Sequence, residues 1–60
     1  MKLIFVYRSN NDKVIAIVQN GIIPVGGKFT YVVLKSKRYV VSSVIINYDN
    51  NSATIEVYDY

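Results

Sequence analysis

Five stretches of the chain are rich in apolar residues, and each is bounded by a short polar or glycine-containing segment. They cover residues 3–7, 14–18, 28–34, 39–48 and 53–60. Ten Val and eight Ile dominate the composition, and side chains branched at Cβ pack well on a pleated sheet but lose rotamer freedom in a helix. The pattern therefore predicts five β-strands and no helix.

The first two stretches are apolar or aromatic at every position, and the polar cluster at 9–12 between them predicts a hairpin. Strict alternation places Ile15 and Ile17 on one face of the second strand, opposite Val14, Ala16 and Val18. A strand that is apolar on both faces is normally covered on both faces. Because a barrel of this size covers only one face, the sequence predicts a partner on the other, with Ile15 and Ile17 as candidate interface residues.

The fourth stretch changes phase within its length. Tyr39 and Val41 share one face, but beyond Ser42 and Ser43 the apolar positions shift by one residue, and Tyr48 then falls in the inward phase. A β-bulge at the serine pair absorbs such a shift and bends the strand. The sequence therefore predicts one bent strand rather than two separate ones.

Three of the polar or glycine-containing segments have the composition of turns. Asn20–Gly21 is a favoured two-residue turn, because both residue types tolerate positive φ. Gly26–Gly27 allows a sharp bend of the backbone, and residues 35–38 are predicted to form a solvated turn.

The last stretch alternates cleanly between two faces. Ala53, Ile55 and Val57 are predicted to point inward, and the other face carries Thr54, Glu56, Tyr58 and Tyr60. A terminal strand in an incomplete barrel is expected at an edge, where backbone groups are free to pair with another chain. Glu56, Tyr58 and Tyr60 are therefore candidate interface residues.

The length of 60 residues allows a single domain, residues 1–60, with a thin core. The absence of Cys excludes disulfides, so stability has to come from an unusually well-packed barrel or from self-association. The fold class predicted is all-β: a small five-stranded SH3-like barrel or a strongly twisted antiparallel sheet.

Several segments carry a family resemblance: Pro24-Val25-Gly26-Gly27-Lys28, then residues 37–44, 48–51 and 55–57. Together they resemble short SH3-like barrel proteins of bacteriophages and related mobile elements, over about half of the chain. In that family a Pro-x-Val-Gly-Asp bend precedes a strand; here Gly27 stands in place of the Asp. The matched positions are turn and core positions. The resemblance implies an accessory protein encoded by a phage, a class whose members often bind and block a host component.

The composition argues against catalysis. Cys and His, which supply most nucleophiles, bases and metal ligands, are absent, and the four acids are scattered along the chain. We therefore expect no catalytic residues, no metal and no cofactor. No apolar run is long enough to span a bilayer or to form a signal peptide, so we expect a cytoplasmic protein without a membrane partner, in the host cell cytoplasm if it is phage-encoded.

The charge of the chain, formally +3, is unevenly distributed. Lys28, Lys35, Lys37 and Arg38 lie close together in the sequence without an acid, whereas residues 39–60 contain acids and no base. This basic segment is a candidate phosphate-binding site, with a nearby Tyr to stack on a base. The simpler interpretation is a solvated segment whose cations balance the neighbouring acids, and four cations are few for a nucleic-acid binder.

The interpretation we favour is a small non-catalytic interaction protein that binds a host protein, such as a defence protein, and can inhibit it. Its candidate interface comprises Ile15, Ile17, Glu56, Tyr58 and Tyr60, and a homodimer or larger assembly is expected. The alternative is a small-barrel binder of nucleic acid or of a nucleotide through the basic segment 28–38.

Overall fold

The structure is a computed structural model that describes residues 1–11, 13–24 and 30–60. Within these ranges the chain forms five β-strands and one short 3-10 turn at Arg8–Asn10, with no α-helix. The strands are β1 (Lys2–Tyr7), β2 (Lys13–Val18), β3 (Tyr31–Leu34), β4 (Lys37–Asn47) and β5 (Ser52–Asp59). The all-β prediction with five strands is therefore confirmed.

All five strands form one strongly curled sheet, in the order β2-β1-β5-β4-β3. Neighbouring strands are antiparallel except for β1 and β5, which run parallel, so the sheet is mixed. This half-barrel is consistent with a small SH3-like barrel. The prediction of an edge position for the last strand is wrong: β5 is the central strand, because β1 pairs with the side of β5 that β4 leaves open.

The core lies on the concave face of the sheet, here called the inner face. Its buried cluster consists of Leu3, Phe5, Val41, Ala53, Ile55 and Val57. The last three, all from β5, have no exposed surface, as expected for the central strand of a sheet. The predicted inward set of β5 is therefore confirmed. The outward positions Thr54, Glu56 and Tyr58 are confirmed too, because they pair with Ile45, Ser43 and Val40 on the other face of the sheet. Tyr60 follows the end of β5, and its ring contacts that of Tyr31.

The bulge predicted in β4 is confirmed. Val41 pairs with Val57 but Ser43 pairs with Glu56, so Ser42 is the additional residue. Bulges increase local twist and bend a strand, which contributes to the curl of the sheet. The inward phase of Tyr39, which packs against the core, is confirmed, but Tyr48 lies in the following turn and is 82% exposed.

A second bulge, in β2, was not predicted. Phe5 pairs with Ala16 and Val6 with Val14, so Ile15 is the additional residue. Ile15 packs against the core, whereas Ile17 lies on the opposite face and is half exposed. The prediction that Ile15 and Ile17 share a face is therefore wrong, because strict alternation does not hold across a bulge.

Two turns differ from the predictions in their details. Asn20 has a positive φ of 55°, but Gly21 does not. The amide of Gly21 donates a hydrogen bond to the carbonyl of Met1. A Cβ at Gly21 would lie 2.6 Å from Cδ1 of the buried Leu3, so glycine is needed there for close packing. The turn predicted at 35–38 contains only Lys35 and Ser36, because residues 37 and 38 already belong to β4. The bend predicted at Gly26–Gly27 lies outside the described residues.

Candidate functional site

The convex surface of the sheet, here called the outer face, carries many apolar side chains. The strand registers place on it Ile4, Val6, Val14, Ile17, Tyr31, Val33, Val40, Ile45, Thr54, Glu56 and Tyr58. Val6 and Val40 are buried there, outside the core cluster. Most of the others are partly or largely exposed, so the outer face is apolar and open over much of its area.

Three tyrosines, here called the tyrosine cluster, occupy one end of the outer face: Tyr31, Tyr58 and Tyr60. Val40 pairs with both Tyr31 and Tyr58, so these two rings flank a buried valine. The rings of Tyr31 and Tyr60 meet edge to face, with centroids 4.7 Å apart. Tyr58 is 42% exposed and Tyr60 is 64% exposed. The rings of Tyr31 and Tyr60 are thus held by packing, while about half of the surface of the three tyrosines stays accessible.

A row of apolar residues crosses the other end of the outer face. Ile17 pairs with Ile4, Ile4 with Thr54, and Thr54 with Ile45, so one row joins β2, β1, β5 and β4. Ile17 and Ile45 are each more than half exposed. Ile45 was missed in the sequence, although the run of three apolar residues at 44–46 requires at least one of them to face outward.

Glu56 lies at the centre of the outer face, where its carboxylate accepts a hydrogen bond from the hydroxyl of Ser43. The side chain is only partly exposed. Since the acid already has a partner within the protein, its contribution to the outer face is a small polar spot between apolar rows.

The described cations of the basic segment do not form one patch. Lys37 forms an ion pair with Asp59, whereas the guanidinium of Arg38 lies 4.7 Å from the ring centroid of Tyr60 on the outer face. Lys35 lies in the β3–β4 turn. Lys28 lies outside the described residues. Consecutive strand residues point to opposite faces, which separates Lys37 from Arg38.

A polar cluster closes one end of the inner face. The carboxylate of Asp59 accepts a hydrogen bond from the Tyr7 hydroxyl at 2.6 Å and lies 3.0 Å from Lys37 Nζ. These hydrogen bonds, first that of Tyr7 and then that of Lys37, hold the pKa of Asp59 below its usual 3.8. The hydrogen bond to Asp59 raises the pKa of Tyr7 above 10.0 and that of Lys37 above 10.5. Lys37 therefore keeps its positive charge, which is paired with an acid of its own chain.

An open cleft of about 210 Å³ lies where the start of β2 comes near the β3–β4 hairpin. It is lined by Lys13, Val14, Ile15, Leu34, Lys35 and Tyr39. β2 and β3 are the two edge strands of the sheet, so their shared cleft shows how far the sheet curls. Lys13 was not singled out in the sequence, since a lysine before a strand carries no signal by itself.

Among the described residues, no three His, Cys, Asp or Glu side chains lie close enough to hold a metal ion. The described chain also contains no helix that is both long and apolar enough to cross a bilayer. Comparisons with protein-family models, curated proteins and solved structures find no match to this chain.

Proposed function

We propose that this chain is a non-catalytic interaction protein that binds a partner protein through the outer face of its sheet. The observation that carries the proposal is the exposure of the tyrosine cluster together with Ile17 and Ile45 on the same face of the sheet. Contiguous exposed apolar surface on a small domain marks an interaction site, and Tyr is enriched among the residues that dominate binding energy.

The arrangement of the outer face supports a protein partner. Its tyrosines are positioned by ring packing and by the buried Val40, so little side-chain freedom is lost on binding. The Tyr hydroxyls, Arg38 and Glu56 supply polar groups around the apolar surface, which is the usual composition of a protein interface.

The proposal includes the kind of partner: a host protein or a second copy of the chain. The resemblance to short phage-encoded barrels supports a host protein, such as a defence protein, with inhibition as the consequence of binding. A second copy of the chain is the other proposed occupant, because it would cover the same apolar surface. The two occupants would then compete.

The stack of Arg38 on Tyr60 favours the alternative, a binder of nucleic acid or of a nucleotide. Two observations weigh against it. Lys37 is paired with Asp59, and the cations of 35–38 are divided between different parts of the surface. A phosphate backbone requires several cations in one track, so the protein-binding proposal is the stronger one.

The proposal is tested by affinity capture from host-cell lysate, with the chain immobilised, followed by measurement of affinity for the captured protein. Tyr58→Ala should weaken binding by about tenfold, which corresponds to about 1.4 kcal/mol, while the chain stays folded. Tyr48→Ala is the matched control, because Tyr48 is an exposed tyrosine in a turn away from the outer face.

Two further measurements test the assignment of the inner face and the kind of partner. Ile55→Ala should unfold the chain, since truncating a fully buried Ile costs about 2–5 kcal/mol in a small core. Retention of the captured protein should also persist to about 0.5 M salt, whereas phosphate-driven binding weakens steeply. Equal binding by Tyr58→Ala and Tyr48→Ala, or recovery of nucleic acid that salt removes, would contradict the proposal.

A further inference from the structure

The two edge strands of the sheet, β2 and β3, lie on either side of the cleft, where a partner segment could bind beside them. β3 pairs only with β4, and β2 only with β1, so within the described residues each has one edge without a strand neighbour. The β2 edge is interrupted by the bulge at Ile15 and begins with Lys13. The β3 edge is regular over Tyr31–Leu34 and contains neither a charge nor a bulge.

An edge strand without charges, Pro or bulges is open to the addition of a further strand. The exposed Tyr31 of β3 also belongs to the tyrosine cluster, so a segment added to β3 would continue directly from the outer face. The last residue of β3, Leu34, lines the cleft. A segment lying along β3 therefore passes the mouth of the cleft.

The chemistry of the cleft selects what such a segment carries. Lys13 and Lys35 stand at the cleft, neither has an ion-pair partner in the described part of the chain, and no described residue of the lining is acidic. Ile15, Leu34 and Tyr39 provide an apolar wall. A volume of about 210 Å³ lies below the range typical of sites for drug-sized ligands. It fits one side chain with an apolar stem and an anionic end.

We propose that the partner contributes an extended segment that adds to the free edge of β3 and places an acidic side chain, Asp or Glu, in this cleft between Lys13 and Lys35. The inference rests on the proposed function, since it assumes a protein partner. The net charge of +3 favours an acidic segment over a second copy of this basic chain.

The test uses the isotopically labelled full chain and a blocked peptide, acetyl-Thr-Val-Glu-Val-Thr-amide, titrated to millimolar concentration in NMR experiments. Saturable shifts are expected at the amides of Tyr31, Val33 and Lys35, which face the open edge, and at the start of β2. The same peptide with Gln in place of Glu should bind roughly two- to fivefold more weakly, as expected for loss of an exposed ion pair.

The variants Lys13→Gln and Lys35→Gln should each weaken binding of the Glu peptide by a similar factor. Lys2→Gln is the matched control: it removes the same charge from an exposed lysine at the far end of β1, since Tyr7 rather than Lys2 pairs with Lys13. Absence of saturable shifts, equal binding of the Glu and Gln peptides, or an equal effect of Lys2→Gln would each overturn the inference.

Two comparisons complete the test. N-acetylglutamate amide should bind far more weakly than the peptide, and equal binding would make the cleft a site for free anions, overturning strand addition. Once a captured partner is in hand, roughly two- to fivefold weaker binding by Lys13→Gln and by Lys35→Gln supports the inference. If Tyr58→Ala weakens binding of the partner but neither lysine variant does, the proposed function stands and this inference fails.

Discussion

Asp59 makes polar contacts with two other strands of the sheet. It continues the inward series of β5, after Ile55 and Val57. Its carboxylate accepts a hydrogen bond from a side chain of β1 and forms an ion pair with a side chain of β4. An acid at the end of an inward apolar series can stay ionised only where the core ends and cationic or donor groups are present. Lys37 and the hydroxyl of Tyr7 supply these groups, so one carboxylate links three strands.

This linkage predicts the pH dependence of stability. The pKa of Asp59 is lowered on folding, so its contribution is present above 3.8 and is lost as the pH falls through the lower pKa of the folded state. The pKa values of Tyr7 and Lys37 are raised, so their contributions are present below 10.0 and 10.5 and are lost at higher pH. Urea unfolding between pH 2 and pH 11 should show that Asp59→Asn loses less stability at both extremes of pH than the native chain does. Asp49→Asn, at a turn position, is the control; if its profile changes as much, the linkage is not specific to Asp59.

At the scale of residues, the sequence allowed the outward tyrosines to be predicted but not their contacts. Tyr58 and Tyr60 followed from alternation with Ile55 and Val57, which depends only on local geometry. The contacts of Asp59 with Tyr7 and Lys37 join positions far apart in the chain. No local pattern could have paired them.

At the scale of elements, the β3–β4 hairpin is unusual in its turn. Leu34 pairs with Lys37, so the loop has two residues, and both Lys35 (φ 52°) and Ser36 (φ 66°) have positive φ. A type I′ turn requires this geometry and is normally built from Asn and Gly. The other described non-glycine residues with positive φ are all Asn. Lys and Ser tolerate positive φ less well than Asn does, so this hairpin turn is the most strained of these positions.

Ser36→Gly should therefore stabilise the chain by about 0.5–1 kcal/mol, because Gly adopts positive φ without steric cost and this gain exceeds its added entropy in the unfolded state. Chemical denaturation measures the change. Ser36→Ala is the control: it removes the same hydroxyl but keeps the Cβ, and it should give no gain. Equal stability of the Gly and Ala variants would mean that the turn is not strained.

The two bulges show how far element geometry could be predicted. The bulge in β4 was visible because polar residues interrupt the apolar phase at Ser42 and Ser43. The bulge in β2 was not, because Val14, Ile15 and Ala16 are all apolar and a phase shift among them leaves no mark. Consequently Ile15 and Ile17 were placed on one face although they lie on two.

At the scale of the whole molecule, the open outer face predicts self-association. Burying it against a second copy would remove exposed apolar surface, and raising salt should strengthen the dimer by screening the +3 charge of each chain. Sedimentation at about 100 μM should give a mass above 6.8 kDa. Ile17→Lys should dissociate the assembly while the chain stays folded, and Ile15→Lys should unfold it, because only Ile15 packs against the core. A monomer for the native chain at this concentration would contradict self-association.

The topology is the part of the fold that the sequence did not predict. Strand number, approximate bounds and the β1–β2 hairpin followed from short-range patterns. The position of β5 between β1 and β4 depends on a pairing between the two ends of the described chain, and burial of Ala53, Ile55 and Val57 on one face is equally compatible with an edge or a centre.

The parallel pairing of β1 with β5 also bears on how the chain folds. Lys2 pairs with Ser52 and Tyr7 with Val57, so the central seam of the sheet joins residues that are among the most distant in sequence. Loop-closure entropy opposes such a pairing until other contacts hold the ends together. The hairpins β1–β2, β3–β4 and β4–β5 are local and can form first. The pairing of β1 with β5 then joins the β1–β2 hairpin to the sheet of β3, β4 and β5. Folding should therefore be slow for so short a chain, with a transition state in which the two hairpin regions are already formed and are being joined.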